Sequence, residues 1–341
     1  MSRDWGKVDV EEVVAQITKI ERKSATPETV AKTLRVFIPY DGSKTAEATL
    51  ETLGRAGLPD ELHALIAVTQ VCLPLSPYEI TSAVSARRLK LLSSGLSSYV
   101  PALQDQEEQR VLSLEAERKL RSMFPKGLVK TEAVQDTAAV ARAILRKAKR
   151  WGAELIILGS NTSPSSQITD YAGPALRVAQ DAHCSVRIAR PSQRKLGAPI
   201  QILICVHEIA SFHNAVNAVS QRSWPAGTIA NIVVVQKPGP RYVARDADPL
   251  HVLNAWADTL RATGLEVSIV IEDGEPEGVL LRRSRESSLD CVFIDPHFGG
   301  TDVFDGSGLS DVAAAITLGA QCSVEVVRAN SSNNEYLAPA A

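Results

Sequence analysis

Short, continuous apolar runs rich in Val and Ile alternate along this chain with amphipathic stretches. Runs of the first type fall near residues 34–40, 61–69, 128–134, 154–158 and 185–190. Most of these runs, five to nine positions long, are continuously apolar, the pattern of parallel strands buried on both faces. Between them the pattern predicts helices over 43–56, 105–124, 137–150 and 173–182. In 137–150, Val140, Ile144 and Ala148 share one face, opposite Arg142 and Arg146. Beyond residue 199 the alternation resumes. It predicts strands at 200–206, 227–236, 266–271, 290–294 and 322–327, with helices at 211–221, 247–263, 276–287 and 309–318. Strands alternating with helices imply βαβ units with right-handed crossovers and a mostly parallel sheet.

The two series are copies of one another. Ala182 to Arg190 (AHCSVRIAR) matches Ala320 to Arg328 (AQCSVEVVR) at an offset of 138 residues. Leu34 to Pro39 parallels Ile200 to Cys205 at an offset of 166. The difference of 28 places an insertion in the first copy. A tandem duplication therefore predicts two α/β domains, 34–191 and 199–328, with the insertion at 71–104. Residues 1–33 form an N-terminal extension with an amphipathic helix candidate, Val8 to Ile20. The insertion carries a basic stretch, Arg87 to Lys90, between Pro77 and Pro101. It reads as a solvated helix face or a partner contact. The tail 329–341 is polar and then Ala/Pro-rich, the composition of a disordered end.

Composition narrows the function classes. The 341 residues are 45% hydrophobic and 22% charged, as in an ordinary globular protein. Lys plus Arg is 37 and Asp plus Glu is 39, so no broad basic surface points to nucleic acid or an anionic membrane. The five cysteines, Cys72, Cys184, Cys205, Cys291 and Cys322, are widely spaced and form no C-x-x-C pair. Reduced, buried thiols in a cytoplasmic protein are expected. The N-terminus has no signal-peptide core, and no apolar run is long enough to span a bilayer. The six histidines show no zinc spacing such as H-E-x-x-H, so no metal is expected.

Candidate chemistry lies at the strand ends. In an open parallel sheet, ligands sit beyond the carboxyl ends of strands where the winding reverses. After the first strand comes Pro39-Tyr40-Asp41-Gly42-Ser43. After the fourth comes Gly159-Ser160-Asn161-Thr162, then a Ser-rich loop and Gly173-Pro174-Ala175 opening a helix. Ser43 also fits a plain N-cap, with Glu47 in the first turns. Gly159 also fits a backbone joint after a buried strand.

These residues resemble the universal stress protein family. The likeness runs through Val36 to Ser43, Ala153 to Ser160 and Gly173 to Arg190, and more weakly through the second copy. The resemblance implies two doubly wound, Rossmann-like five-stranded sheets of strand order 3-2-1-4-5. It also implies a non-enzymatic, stress-linked regulator in which the last strands, 185–190 and 322–327, pair as an intramolecular pseudo-dimer. Doubling into a homodimer and contact with a further protein partner are also expected from it. Nucleotide-binding members share a loop of the form G-x2-G-x9-G-[ST] and an Asp after the first strand. Carried over, these positions make Pro39, Tyr40, Asp41, Gly159, Ser160, Asn161, Gly173 and Ala175 the candidate site for ATP, ADP or AMP. This chain departs from the pattern: Thr162 replaces the second glycine, the spacer is one residue too long, and Pro174 replaces the Ser or Thr. In the second copy, His207 stands at the Asp position, Asp295 and Pro296 at the start of the loop, and Phe298 at the second glycine. A carboxylate there repels phosphate and a proline deletes a donor, so no nucleotide is expected in that copy.

Neither a G-x-S-x-G elbow nor a G-x-x-x-x-G-K-[ST] loop is present. Two other readings remain open. One is an α/β enzyme that hydrolyses or transfers adenine nucleotides, acting near Asp41. The other is an accessory domain that binds a transporter or kinase through 71–104.

Overall fold

The computed structural model describes residues 33–71, 100–136, 140–160, 174–192, 194, 197–206, 209–236, 249–286, 289–299 and 308–329. The N-terminal extension, most of the insertion with its Arg87 to Lys90 stretch, and the tail beyond Ala329 lie outside these residues.

The first copy runs β1 (Arg35–Tyr40), α1 (Lys44–Thr52), β2 (His63–Val71), α2 (Val100–Met123), β3 (Leu128–Asp136), α3 (Val140–Trp151), β4 (Leu155–Gly159), α4 (Pro174–Asp181) and β5 (Ser185–Ala189). The second runs β6 (Gln201–Val206), α5 (Ile209–Ser220), β7 (Ile229–Gln236), α6 (Pro249–Arg261), β8 (Glu266–Asp273), α7 (Pro276–Ser284), β9 (Cys291–Ile294), α8 (Asp311–Gly319) and β10 (Ser323–Val326). The described part of α2 reaches back to Val100, five residues before the predicted start and inside the segment assigned to the insertion.

The ten strands among the described residues form one sheet, ordered β3-β2-β1-β4-β5-β10-β9-β6-β7-β8. Each half has the expected order 3-2-1-4-5, and the two predicted five-stranded sheets are joined edge to edge. Pairing is parallel within each half. β5 and β10 pair antiparallel, with Glu325 opposite Arg187. Unpaired donors and acceptors on both last strands are thereby satisfied. The β1–β2 and β6–β7 registers are equivalent: Arg35 lies opposite His63, and Gln201 opposite Ile229. The offset of 166 is thus kept in three dimensions.

Helices cover both faces. On one face α3, α4, α7 and α8 share a single apolar layer. It holds Ile144, Val178, Leu280 and Ile316 together with Val186, Ile188, Val324 and Val326 of the central strands. On the other face there are two separate clusters. Leu50, Leu120 and Ile38 belong to one, and Val219, Trp256 and Ile204 to the other.

Beyond the paired strands, the copies hold each other through repeat-equivalent residues. Arg190 donates to Thr317 O (2.6 Å) and Cys322 O (3.2 Å), satisfying carbonyls around the end of α8. Its counterpart Arg328 donates to Ala179 O (2.6 Å) and Gln180 O (3.2 Å) at the end of α4. Each copy therefore caps the other's last helix, where a cation also meets the negative end of the dipole. Ser323 Oγ accepts from Arg190 N, and Ser185 Oγ accepts from Arg328 N, both at 3.1 Å.

Candidate functional site

The chain reverses its winding between β1 and β4, which pair in parallel with Val36 opposite Leu155. That pairing brings Pro39, Tyr40 and Asp41 beside Gly159 and Ser160. Of the candidate residues, these five are adjacent on the paired strands; Asn161, Thr162 and Gly173 lie outside the described residues. Ala175 sits in the first turn of α4, buried in the apolar layer.

Local geometry explains several of these residues. Asp41 is exposed, and its Oδ1 accepts from Ser43 N at 3.0 Å. Ser43 is the N-cap of α1, its Oγ accepting from Ala46 N at 3.2 Å. The helix begins at Lys44, one residue inside the predicted span 43–56. Gly42 turns the chain with φ of 71° and lies under α2: a Cβ there would come 2.6 Å from Leu112 Cδ2. Gly159 is held just as closely. A Cβ at that position would meet Thr45 Cγ2 at 2.4 Å and Thr45 O at 2.8 Å. The glycine lets α1 pack directly on the end of β4. Ser160 N donates to Ala189 O at 3.2 Å and continues the β4–β5 pairing.

Tyr40 is 1% exposed, and its phenol donates to Glu47 of α1. Lys119 of α2 donates to the other oxygen of Glu47. Burial first, and then the Glu47 carboxylate, push the Tyr40 phenol well above its usual range. The hydrogen bond from Lys119, followed by that from Tyr40, holds the Glu47 carboxyl below the usual range. This chain of hydrogen bonds ties β1, α1 and α2 together at the mouth of the site. The sequence pattern assigns Glu47 only a place in a helix turn and does not single out Lys119. The two residues lie 72 positions apart, and no local pattern links them.

The equivalent turn in the second copy is closed by its own hydrogen bonds. Asp295 follows β9, and its Oδ1 accepts from His297 N at 2.8 Å. Phe298 N donates to Asp295 O at 3.1 Å, and Ser310 N to Pro296 O at 2.8 Å. Ser310 Oγ donates to Phe298 O and also caps α8. The Phe298 ring is 2% exposed and lies in the apolar layer. The two backbone donors, His297 N and Phe298 N, are thus used within the turn. His207 and Gly300 lie outside the described residues.

The four described cysteines are buried free thiols. Desolvation pushes Cys184, Cys291 and Cys322 up to about 12, which keeps them protonated and inert. Burial pushes the imidazoles of His183 and His213 below the usual range. Among the described residues, no group of three or more His, Cys, Asp or Glu is arranged to hold a metal. No helix among them is long and apolar enough to cross a membrane.

A doubly wound α/β half repeated once, the two halves joined in one ten-stranded sheet, defines a tandem Rossmann-like protein. Three solved structures are similar to this chain over most of its length. A universal stress protein from Archaeoglobus fulgidus DSM 4304 is 18% identical, with a TM-score of 0.55, over 87% of this chain and 97% of that one. A functionally unknown protein from Pseudomonas aeruginosa PAO1 is 12% identical, with a TM-score of 0.54, over 88% and 94%. A putative universal stress protein from Pseudomonas aeruginosa UCBPP-PA14 is 12% identical, with a TM-score of 0.51, over 87% and 94%. No family model and no curated protein matches the chain. The fold is therefore that of universal stress proteins, in tandem.

Proposed function

We propose that the chain is a non-enzymatic stress-response regulator of the universal-stress-protein kind, acting in the cytoplasm. In this reading residues 34–191 and 199–328 are its two domains. The first takes an adenine nucleotide weakly, and the second takes none.

One observation carries the reading: the two copies treat the same cleft differently. At the end of β4 a glycine stands beside Asp41 and the N-terminus of α1, an arrangement that suits a polar, partly anionic ligand. At the end of β9 an acid and a buried phenylalanine take that place. The solved relatives support the regulatory class through their fold. Binding is weak because the polar groups at the cleft are partly used within the chain. Asp41 Oδ1 already accepts from Ser43 N, and Ser160 N already donates to Ala189 O. Pro174 brings no N–H to the start of α4.

Calorimetry with ATP, ADP and AMP tests the reading. Binding near the millimolar range, about 4 kcal/mol, is expected, with one nucleotide per chain. Asp41→Ala should abolish the heat without changing the melting temperature by more than about 2 °C, since the residue is exposed. Prolonged incubation with ATP should yield no ADP. Product formation lost in Asp41→Ala would instead establish the enzyme reading.

A further inference from the structure

The join between β5 and β10 has the geometry of a two-fold contact, yet its equivalent positions hold unlike residues. Arg187 and Glu325 occupy the same place in the repeat and lie opposite one another on the paired strands. Both are buried, at 1% and 0% exposure. Arg187 Nη1 donates to Glu325 Oε2 at 3.4 Å, and Arg222 donates to Oε1. Val186 and Ile188 point into the shared apolar layer, so Arg187 faces the opposite side of the sheet, where Arg222 covers it. In a true two-fold contact each residue on the axis meets its own copy. Here that would place arginine against arginine or glutamate against glutamate.

A second asymmetry lies beside the first. At the offset of 166, Ala56, Gly57 and Leu58 correspond to Arg222, Ser223 and Trp224. Arg222 Nη1 donates to Ala56 O at 2.8 Å, and Ser223 N donates to Gly57 O at 3.0 Å. The Trp224 indole lies over Gly57, where a Cβ would come 2.6 Å from Cε3. The same indole meets the Phe293 ring edge-on at 6.2 Å, and Arg222 stacks over that ring at 5.3 Å.

We infer that this seam is coded for unlike halves: a first-half edge accepts a second-half edge of this chain and rejects another first half. Likewise, second halves reject each other. Two first halves would bury Arg187 against Arg187. Ala56 stands where Arg222 would be, and no carboxylate lies at the axis. Two uncompensated buried cations are strongly disfavoured. Two second halves would keep a charge balance, with two Glu325 and two Arg222. They would instead press Trp224 onto Ser223, whose side chain fills the space that Gly57 leaves open. Charge thus excludes one wrong pairing and bulk excludes the other, while the correct pairing satisfies both. Duplication within one chain makes such a code available, because equivalent positions can diverge.

Charge-reversal variants of the full chain test the code. Arg187→Glu and Glu325→Arg each place like charges at the axis, and each should lower the melting temperature by about 5–15 °C. The double variant R187E/E325R restores opposite charges and should recover at least half of that loss. Refolded together, the two single variants should form a one-to-one dimer by exchanging halves, because each first half then faces a second half of opposite charge. Light scattering reads its mass, and each single variant alone should give no such dimer. A double variant no more stable than the singles would overturn the inference. So would a mixture without the dimer, or a like-with-like dimer from either single variant.

Discussion

Asp290, in the second half, receives two hydrogen bonds from Arg55 of the first, at 2.7 Å from Nε and 2.9 Å from Nη2. The pair is bidentate and spans 235 positions in sequence. The same carboxylate accepts from Ser192 Oγ and Gln201 N, and Arg194 lies within 3.6 Å. The link between the halves is thus anchored to the carboxylate that also holds the halves together.

Asp290→Asn tests this anchor. The side chain is 2% exposed, whereas that of Arg55 keeps 21% and so retains part of its hydration. An amide of the same shape can accept on one side only, and it removes the carboxylate that the Arg55 guanidinium pairs with. The expected loss is about 2–3 kcal/mol, read from urea unfolding as a lower midpoint at unchanged slope. A midpoint within error of the parent would show that the carboxylate's charge is dispensable.

Gly159→Ala tests whether close packing or ligand approach governs that position. The added methyl would lie 2.4 Å from Thr45 Cγ2 and 2.8 Å from Thr45 O, so α1 must shift. A loss of about 1–3 kcal/mol is expected, together with loss of any nucleotide heat. Gly278→Ala is the control. It lies within α7, no atom comes within 4 Å of its added Cβ, and it should gain about 0.4–1 kcal/mol.

The Tyr40–Glu47–Lys119 chain predicts a pH response at both ends of the scale. Glu47 is held below its unfolded value in the native state. Its contribution is therefore present above about pH 4.3 and is lost as pH falls through the lower native value. Tyr40 is raised in the native state. Its contribution is present below about pH 10 and declines as the pH rises above that. Melting curves should show Glu47→Gln flattening the acid limb and Tyr40→Phe flattening the alkaline limb. Parent-like slopes in both variants would remove the chain from the stability account.

The sequence made some of these features readable and concealed others, for physical reasons. Buried parallel strands need apolar side chains on both faces, so β1, β4, β6 and β9 stood out as continuous runs. The matched stretches Ala182–Arg190 and Ala320–Arg328 announced both the duplication and its central strands. Those same stretches contain Arg187 against Glu325, but a substitution between copies acquires meaning only when the strands lie antiparallel with these two residues opposite. The reach of α2 back to Val100 was hidden because Pro101 reads as a helix breaker. Lys119 was invisible because its partner is set by how α2 crosses α1. The ring of Phe298 was legible as a departure from the glycine pattern, though not as a residue of the shared core.

The apolar layer beneath α3, α4, α7 and α8 has a thermodynamic consequence. Neither repeat owns that layer, since Val186 and Ile188 from one and Val324 and Val326 from the other lie side by side within it. Loss of structure in either repeat would wet hydrocarbon belonging to its neighbour, so calorimetric melting should be all-or-none, a single endotherm whose van't Hoff enthalpy equals the calorimetric one. Two ancestral folding units have in this way become one.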